Sequence, residues 1–532
     1  MLDEAGVGLV EGSGLLDERE RRLVVGALNF HALAGPGHTF RLTVLRGPRG
    51  TMPSLTDETV RSIEWEDDRE VVGSVVVRST VRTTVTAGST EGLIDLAVDL
   101  GGEPETASAY HQLPGLLGKV RRGVRFFAPV PFDVLRQART DVTERRYRKR
   151  DVPRKAPVRI TRGATATEPG TVPAILFGLH WLELGGAERF ALETIQQAKD
   201  AGFVPIVVTD QPSTHPWITR PELDGAVVVP LTRPVQPEHE AAFLNGLLTT
   251  FDVRGIHLHH SAWLAGRLPW LKSVRPDLPV IDTLHIVEWR TGGFVDISVR
   301  MTNVIDTHHV ISPMLRDYLI GKHGIDPARV KLATLANLTT EGITQGPATR
   351  TDGPFTVAFV GRFTQQKRPY LFLQLAAALK DSAPGEVRFI VHGDGELSGE
   401  VHGLVGRLGL AGVLELRTSE QPVSRTLADA DVLVVSSDNE GLTLTSFEAT
   451  AAGVPVVSTD VGSQASLIAD DLLVPRHPYP FISTAAERIR TMITSPEQRK
   501  AWLDEQAAKA AAFAKLPDAR TWVRETYEGW LP

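Results

Sequence analysis

The sequence predicts an α/β protein with two domains facing one another across a cleft, each built on a parallel sheet, and with a small β-rich domain in front. From about residue 172, short apolar strands alternate with glycine-containing turns and amphipathic helices, which is typical of parallel sheets covered by helices. This rhythm stops near residues 338–353 and then restarts, which indicates a second sheet. Before residue 100, Val- and Thr-rich segments alternate with turn residues, which favours antiparallel strands.

The composition is that of a globular protein, with 42% hydrophobic and 23% charged residues among 532. The formal charge of −7 gives no global reason to bind nucleic acid. Cysteine is absent, which excludes disulfides, thiolate metal sites and cysteine nucleophiles. The acidic start does not resemble a secretory signal, and no apolar run reaches the roughly 18–20 residues that span a bilayer. We therefore expect a cytoplasmic protein.

Each predicted sheet contains six strand candidates, at residues 174–179, 205–209, 226–230, 255–258, 280–283 and 309–312, then 355–360, 387–392, 414–416, 432–436, 455–458 and 472–474. The predicted organisation is a β-rich domain at 1–135, a basic linker at 136–171, parallel-sheet domains at 172–345 and 346–515, and a C-terminal helix at 516–532 that packs back on the first of them. Ligands of such sheets bind beyond the carboxyl ends of the strands.

Residues 360–369 follow the first strand of the second sheet and combine glycine with positive charge. Gly361 permits a close backbone approach, Arg362 and Lys367 supply the charge, and Pro369 suits the first turn of a helix whose free N–H groups attract anions. The segment therefore favours a phosphate ligand, with a solvated basic surface as the alternative.

Residues 436–455 leave a strand and enter a helix, with Glu440 in the loop and Glu448 in the helix that begins near Leu444. Both carboxylates can then face one ligand. A carboxylate accepts hydrogen bonds from vicinal sugar hydroxyls, and a helix start between two of them offers amides to a diphosphate. The alternative is a helix cap and a surface glutamate.

These segments, together with His392-Gly-Asp-Gly-Glu, resemble the retaining GT-B glycosyltransferases of glycosyltransferase family 4 over roughly residues 172–530. The resemblance implies a GT-B fold, here with an extra β-rich, sandwich-like domain, and transfer of a sugar from a nucleotide diphosphate-sugar to a glycan, cell-surface polymer or lipid-linked acceptor. It implies that the first Rossmann-like domain receives the acceptor and the second the nucleotide-sugar.

By the same resemblance, Arg362 and Lys367 neutralise the donor diphosphate, Glu440 serves the transferred sugar and Glu448 binds the ribose. The donor-site loop positions are Gly361, Gly441, Leu442 and Thr443. Many relatives carry glycine where this chain has Thr443, and a second glycine followed by an acid after the Asp-Val-Gly segment, where this chain reads Asp460-Val-Gly-Ser-Gln. The donor preference is therefore open.

Gly185 and Gly186 follow the first strand of the first sheet and resemble the family's glycine loop near the donor phosphates. They match neither the dinucleotide fingerprint nor the P-loop pattern. His285 ends a strand where similar proteins place a histidine against the donor sugar, although a histidine merely packed at a strand end would look the same. We assign Glu440 and His285 as the catalytic candidates.

Five further histidines, His257, His259, His260, His308 and His309, do not match the spacing of a tetrahedral zinc site and are interpreted as strand-exit residues lining the cleft. No metal or other cofactor is expected, because Arg362, Lys367 and a helix N-terminus can offset the diphosphate charge.

Residues 119–162 contain fifteen Lys or Arg against four Asp or Glu. They are either a solvated helix and linker or a patch that meets an anionic membrane or polymer, which would place the protein at the inner face of the membrane. Nucleic acid is not expected as a partner. Two alternatives to a glycosyltransferase stay open: an epimerase or phosphorylase on the same fold, and a non-catalytic protein that binds glycan or membrane.

Overall fold

The computed structural model of the protein describes residues 16–48, 51–55, 69–81, 93–102, 120, 123–149, 170–232, 235, 237–288, 292–336, 338, 353–381 and 387–531. In these ranges no helix is both long and apolar enough to cross a bilayer.

The strands of the described ranges form three sheets. The small N-terminal sheet contains β1 Thr39–Arg46, β2 Glu70–Arg78 and β3 Leu93–Asp99. The second sheet contains β4 Val172–Leu179, β5 Val204–Thr209, β6 Val227–Pro230, β7 Phe251–His259, β8 Val280–Leu284, β9 Thr307–Val310 and β10 Val330–Leu332. The third contains β11 Phe355–Val360, β12 Val387–His392, β13 Leu414–Arg417, β14 Val432–Val435, β15 Val456–Thr459 and β16 Leu473–Val474.

The α-helices of these ranges are α1 Glu18–Ala34, α2 Pro129–Lys149, α3 Gly186–Asp200, α4 Pro237–Thr250, α5 Ala262–Val274, α6 Gly293–Arg300 and α7 Pro313–Asp317. They continue with α8 Pro369–Lys380, α9 Ser398–Arg407, α10 Val423–Asp429, α11 Leu444–Ala451, α12 Pro478–Thr494, α13 Pro496–Phe513 and α14 Ala519–Glu528.

The two large sheets are parallel and doubly wound, which confirms the predicted GT-B fold. The first has strand order β10-β9-β8-β7-β4-β5-β6 and the second β13-β12-β11-β14-β15-β16. Nearly continuous apolar strands are buried between helices on both faces, as parallel sheets require. The predicted strands overlap the observed ones, and β11 and β12 coincide with them from end to end.

The N-terminal region differs from the predicted antiparallel, sandwich-like domain. β1 pairs with β2 in antiparallel fashion but with β3 in parallel, so the described residues form one mixed sheet. A helix, α1, precedes this sheet, opened by a capping box in which Asp17 accepts from the Glu20 amide at 2.7 Å. The alternating Val and Thr pattern predicted the strands but could not indicate the parallel pairing, which depends on a long connection.

Helix α1 covers the edge of the first large sheet that is formed by β6. The Asn29 amide donates to the carbonyl of Val228 in the edge strand β6 at 3.1 Å. A side chain at Gly246 of α4 would lie 1.9 Å from the Leu33 carbonyl, so glycine is needed for the close approach of α4 and α1. Covering an edge strand removes a template for unwanted pairing. The N-terminal region thus shares its core with the first Rossmann-like domain.

The predicted linker at 136–171 is wrong over its first part, because α2 extends to Lys149 and packs against α8 and α12 of the second Rossmann-like domain. Val130 belongs to that domain's hydrophobic core. The helix is rich in Arg and lacks an apolar stripe facing its partner, so composition alone resembled a linker. The remainder of the predicted linker, residues 150–169, lies outside the described residues.

Helix α14 packs on the first Rossmann-like domain, and a chain of hydrogen bonds between buried polar side chains joins the two. His309 Nε2 lies 3.0 Å from the Ala333 carbonyl, which can only accept, so Nε2 carries the proton. Its Nδ1 then accepts from the Thr283 hydroxyl at 2.9 Å. The Thr283 oxygen in turn accepts from His257 Nε2 at 2.7 Å, and His257 Nδ1 accepts from Tyr527 Oη at 2.5 Å. Every member of this chain is neutral and satisfied.

Acidification should weaken this core. Burial, with a smaller contribution from neighbouring histidines, lowers the pKa of His257, His259 and His285 well below the usual value. Only the unfolded chain then takes up protons below about pH 6.5, so stability is full above that pH and falls below it, by up to about 1.4 kcal/mol per pH unit for each histidine. Urea denaturation between about pH 7 and pH 5 measures the slope.

The slope should become shallower in His259→Asn and stay unchanged in His402→Asn, since His402 is exposed. A free energy of unfolding that does not change over this pH interval would contradict the neutral histidine core.

Candidate functional site

A cleft of about 890 Å³ lies between the carboxyl ends of the two parallel sheets. The eleven residues assigned to the catalytic and donor-binding site all line it, namely Gly185, Gly186, His285, Gly361, Arg362, Lys367, Glu440, Gly441, Leu442, Thr443 and Glu448. Residues from four separate chain segments therefore meet at one place, where open α/β sheets bind their ligands.

The loop after β11 carries the cations of the cleft. Gly361 N–H donates to the His392 carbonyl at 3.0 Å, which joins this loop to the one after β12. Lys367 Nζ lies 2.6 Å from Glu440 Oε1, in an ion pair that is largely buried. Arg362 is half-buried and faces the first domain, where its charge acts on Glu188. The loop therefore presents two cations to one region of the cleft.

The helix α11 begins in the cleft without a side-chain cap. Its N-cap residue is Thr443, which is buried and whose Oγ1 has no hydrogen-bond partner in the structure. Uncapped N–H groups at a helix N-terminus bind anions. One turn further, Glu448 Oε1 lies 3.3 Å from Arg189 Nη1 of α3. This pair joins the two domains across the cleft.

Close backbone contact between the domains depends on Gly441. A side chain at this position would lie 1.7 Å from the His285 carbonyl, so only glycine allows the approach. The Asn439 side chain donates to the Val287 carbonyl at 2.8 Å beside it. The loop that carries Glu440 thus rests directly on the strand exit that carries His285.

The glycine loop of the first domain surrounds Glu188, which the sequence interpretation missed. A side chain at Gly185 would lie 2.0 Å from Glu188 Oε2. Glu188 Oε1 accepts from Trp181 Nε1 at 2.7 Å and lies 2.9 Å from His180 Nε2. Burial acts to raise the pKa of Glu188, but the hydrogen bond and charge of His180 and the charge of Arg362 lower it to about 2. This carboxylate is an acceptor and not an acid. The sequence could have indicated this residue, because Glu188 lies in the first turn of a helix that begins at the pair Gly185 and Gly186.

His285 is buried and its Nε2 has no hydrogen-bond partner in the structure. Burial, followed by the neighbouring His260 and His259, holds its pKa well below the usual range. A neutral imidazole in the cleft wall can exchange hydrogen bonds with a hydroxyl but does not carry charge. His260 also lines the cleft.

The prediction that the other histidines line the cleft is wrong. His257, His259, His308 and His309 are packed inside the first domain, and none of them lines the cleft. Alternation along β7 turns His257 and His259 to one face of the sheet, and that face is covered by α3 and α14. Among the residues that the structure describes, no group of three or more His, Asp or Glu could hold a metal ion.

Arg368, next to Lys367, is fully buried and adopts a left-handed backbone conformation with φ 51°. Its guanidinium donates to the carbonyls of Ser436 at 2.5 Å and Ser437 at 2.9 Å, directly before the Glu440 loop. Its carboxylate partner is Asp133 of α2, at 3.1 Å and equally buried. Sequence reasoning missed this pair because the two residues are far apart in the chain.

A second ion pair from α2 reaches the same loop. Arg136 donates to Asp438 Oδ2 at 2.7 Å and pairs with Asp133 Oδ1 at 2.7 Å. Asp133 Oδ1 also accepts from the Tyr370 hydroxyl at 2.7 Å, while its Oδ2 faces Arg368. Arg136 and Thr140 also line the cleft. The N-terminal region therefore contributes to the wall of the cleft and to the support of the Glu440 loop.

Two family models match the chain, side by side. The model described as Glycosyltransferase Family 4 matches residues 184–333, and that of Glycosyl transferases group 1 matches residues 345–509. Neither includes α1, α2 or the small sheet.

Curated relatives include two D-inositol 3-phosphate glycosyltransferases. That of Kineococcus radiotolerans is 29% identical over 48% of this chain and 67% of its own length. That of Saccharomonospora viridis is 26% identical over 62% of this chain and 84% of its own length.

Solved structures share the fold. Sucrose-phosphate synthase from Thermosynechococcus elongatus superposes with a TM-score of 0.51 at 18% identity, over 68% of this chain and 98% of that one. Anabaena HepE, solved with UDP and glucose, superposes with a TM-score of 0.50 at 17% identity, over 67% of this chain and 98% of that one.

Replacing Gly441 with alanine should separate the two domains at the His285 carbonyl, because the contact of 1.7 Å involves rigid backbone. A displacement of about 1 Å at the reacting groups costs turnover on the order of a hundredfold. Steady-state kinetics of Gly441→Ala test this, with Gly266→Ala as the control, since a side chain there meets nothing within 4 Å. Wild-type turnover in Gly441→Ala would show that the contact is not needed.

Removing the Asp133 carboxylate should leave the Arg368 charge buried and unpaired, at a cost of about 3–5 kcal/mol in the free energy of unfolding. Adding Arg368→Gly should recover part of this loss, because glycine accommodates the left-handed backbone. Asp141→Ala is the control, since the partly exposed Asp141 pairs with Arg476 and should cost at most about 1 kcal/mol. Urea denaturation compares the variants. Equal losses in Asp133→Ala and Asp141→Ala would contradict the buried pair.

Proposed function

We infer, from the premise that this chain belongs to the GT-B glycosyltransferases of family 4, that the cleft transfers a sugar from a nucleotide diphosphate donor to an acceptor hydroxyl. The protein is a glycosyltransferase, and the proposal concerns what each residue does. The observation that carries it is the convergence of two cations, two carboxylates and an uncapped helix N-terminus between the two Rossmann-like domains.

Arg362, Lys367 and the first turn of α11 are proposed to hold the donor diphosphate. Negative charge grows on the diphosphate as the bond to the sugar breaks, and fixed cations and N–H groups stabilise it without reorganisation. The buried Lys367–Glu440 pair keeps the ammonium in place before the donor binds. These groups can supply the charge that a divalent cation would otherwise provide, so we propose that the reaction needs no metal.

Glu440 and His285 are proposed to position the transferred sugar, and Glu448 to bind the ribose. Glu440 pairs with Lys367 and directly precedes Gly441, which contacts the His285 carbonyl. These contacts support a role for Glu440 beside the reacting bond. The acceptor hydroxyl attacks on the face from which the diphosphate departs, and the departing oxygen takes the acceptor proton. This course retains the anomeric configuration. His285, being neutral, exchanges hydrogen bonds with a sugar hydroxyl.

The acceptor is proposed to enter from the first domain, where aromatic and polar groups line the cleft. Trp181 and Phe294 offer ring faces, and Gln211 and Glu288 offer polar groups. This combination suits a polyhydroxylated acceptor such as a glycan or the sugar of a lipid-linked acceptor. Relatives named for D-inositol 3-phosphate act on an acceptor of the same general kind.

Substituting the two glutamates separately should give different kinetic defects. Glu440→Gln should lower turnover on the order of a hundredfold, because its charge matters most in the transition state. Glu448→Gln should instead weaken donor binding roughly tenfold or more, through lost charged hydrogen bonds. Donor affinity is measured by thermal shift with UDP-, GDP- and ADP-sugars, since ligands that bind only the folded state raise its stability.

The exposed Glu497→Gln serves as the control and should behave as the wild type. A labelled donor separates transfer from epimerisation or phosphorolysis, because transfer releases nucleoside diphosphate and labels the acceptor. Identical defects in Glu440→Gln and Glu448→Gln would count against the division of roles, and failure to bind any of the donors would count against the whole proposal.

A further inference from the structure

Helix α2 has its polar face buried and apolar side chains in solvent. Toward the second Rossmann-like domain it buries Asp133, Gln137 and Glu144. Toward solvent it presents Leu135, which is 72% exposed, and Val142, which is 49% exposed. A helix on the surface of a globular domain normally has the opposite arrangement, so an exposed apolar stripe indicates a contact outside the molecule.

The helical turn that precedes α2 also exposes apolar side chains. Phe127 is 71% exposed and Val124 is 45% exposed. Phe127 also contacts Arg407 of α9 through its ring, so this turn is held on the second domain. The exposed apolar side chains therefore lie on two successive helical elements, both of which contact the second domain.

The charges of α2 are separated in the same way. The buried Glu144 and the partly exposed Asp141 both pair with Arg476 of the second domain. Arg139, Arg145 and Arg146 are exposed. The outer surface of the helix is therefore apolar with cations beside it and at its C-terminal end.

The positive charge is a feature of residues 119–162 and not of the protein as a whole. Fifteen Lys or Arg stand against four Asp or Glu in residues 119–162, while the whole chain carries −7. The region also lies outside both family models, which match residues 184–333 and 345–509. The surface is therefore a property of the N-terminal region of this chain.

We propose that α2 is an interfacial helix that docks the protein on an anionic membrane surface. With 21 residues it is about 31 Å long, and it lies in the plane of the interface. Leu135, Val142 and Phe127 enter the boundary between headgroups and acyl chains, while the arginines meet anionic headgroups. A soluble polyanion would use the arginines but not the apolar side chains, so the stripe favours a bilayer.

The opposite side of the same helix lines the catalytic cleft through Arg136 and Thr140. Docking through α2 therefore brings the cleft close to the membrane surface. This orientation favours an acceptor that is itself anchored in the membrane, an inference that rests on the proposed function. The docking surface is separate from the cleft, so membrane binding can be measured whether or not the catalytic proposal holds.

Co-sedimentation of the full chain with vesicles tests the proposal. The wild type should bind vesicles of phosphatidylcholine containing phosphatidylglycerol and not phosphatidylcholine alone, and added salt should weaken the binding. Arg139→Gln/Arg145→Gln/Arg146→Gln should bind on the order of a hundredfold more weakly, at about fivefold for each arginine. Leu135→Gln/Val142→Gln should lose at least about tenfold although its charge is unchanged.

Val71→Gln/Val76→Gln is the matched control, because these two residues are exposed on the small sheet, away from α2, and its binding should equal that of the wild type. Thermal melting shows that each variant is folded. The proposal is overturned if the wild type does not bind anionic vesicles, or if Leu135→Gln/Val142→Gln binds them as well as the wild type does. The second result would identify a site for a soluble polyanion instead.

Discussion

The arrangement of the second Rossmann-like domain around the Glu440 loop depends on the ion pair between Arg368 and Asp133, both of which are fully buried. The Arg368 side chain crosses from the start of α8 to the carbonyls of Ser436 and Ser437, and it needs a carboxylate because a guanidinium cannot lose its proton inside a protein. Asp133 supplies that carboxylate from outside the family domains. Arg368 therefore holds both the loop that leads to Glu440 and helix α2.

The N-terminal region consequently does more than precede the two Rossmann-like domains. Its first part, α1 and the small sheet, shares a core with the first domain, and its second part, α2, is held by ion pairs on the second. The N-terminal region therefore contacts both Rossmann-like domains.

Within the cleft, charges of opposite sign are paired before any donor is bound. Lys367 is held by Glu440 and Arg189 by Glu448, while Glu188 stays ionised beside His180. Such pairing avoids the cost of isolated charges in a partly buried site. It also keeps the cations close to where a diphosphate would lie, so that donor binding exchanges partners and does not require groups to be brought from elsewhere.

Local sequence determined the two parallel sheets and brought the charged residues of two strand exits to one cleft. The apolar strands of the two large sheets were predictable because buried parallel strands are continuous apolar runs, and the start of α11 at Leu444 because a strand-exit loop leads directly into an apolar helical pattern. The charged residues after β11 and β14 could be placed in one cleft because the carboxyl ends of parallel strands meet at one edge.

Only the tertiary structure decided which distant residues are partners. The pairing of Asp133 with Arg368, the parallel pairing of β1 with β3, and the burial of His257 and His309 behind α14 all depend on contacts between positions far apart in the chain. A local pattern contains no information about such partners, so α2 looked like a basic linker and the core histidines looked like cleft residues.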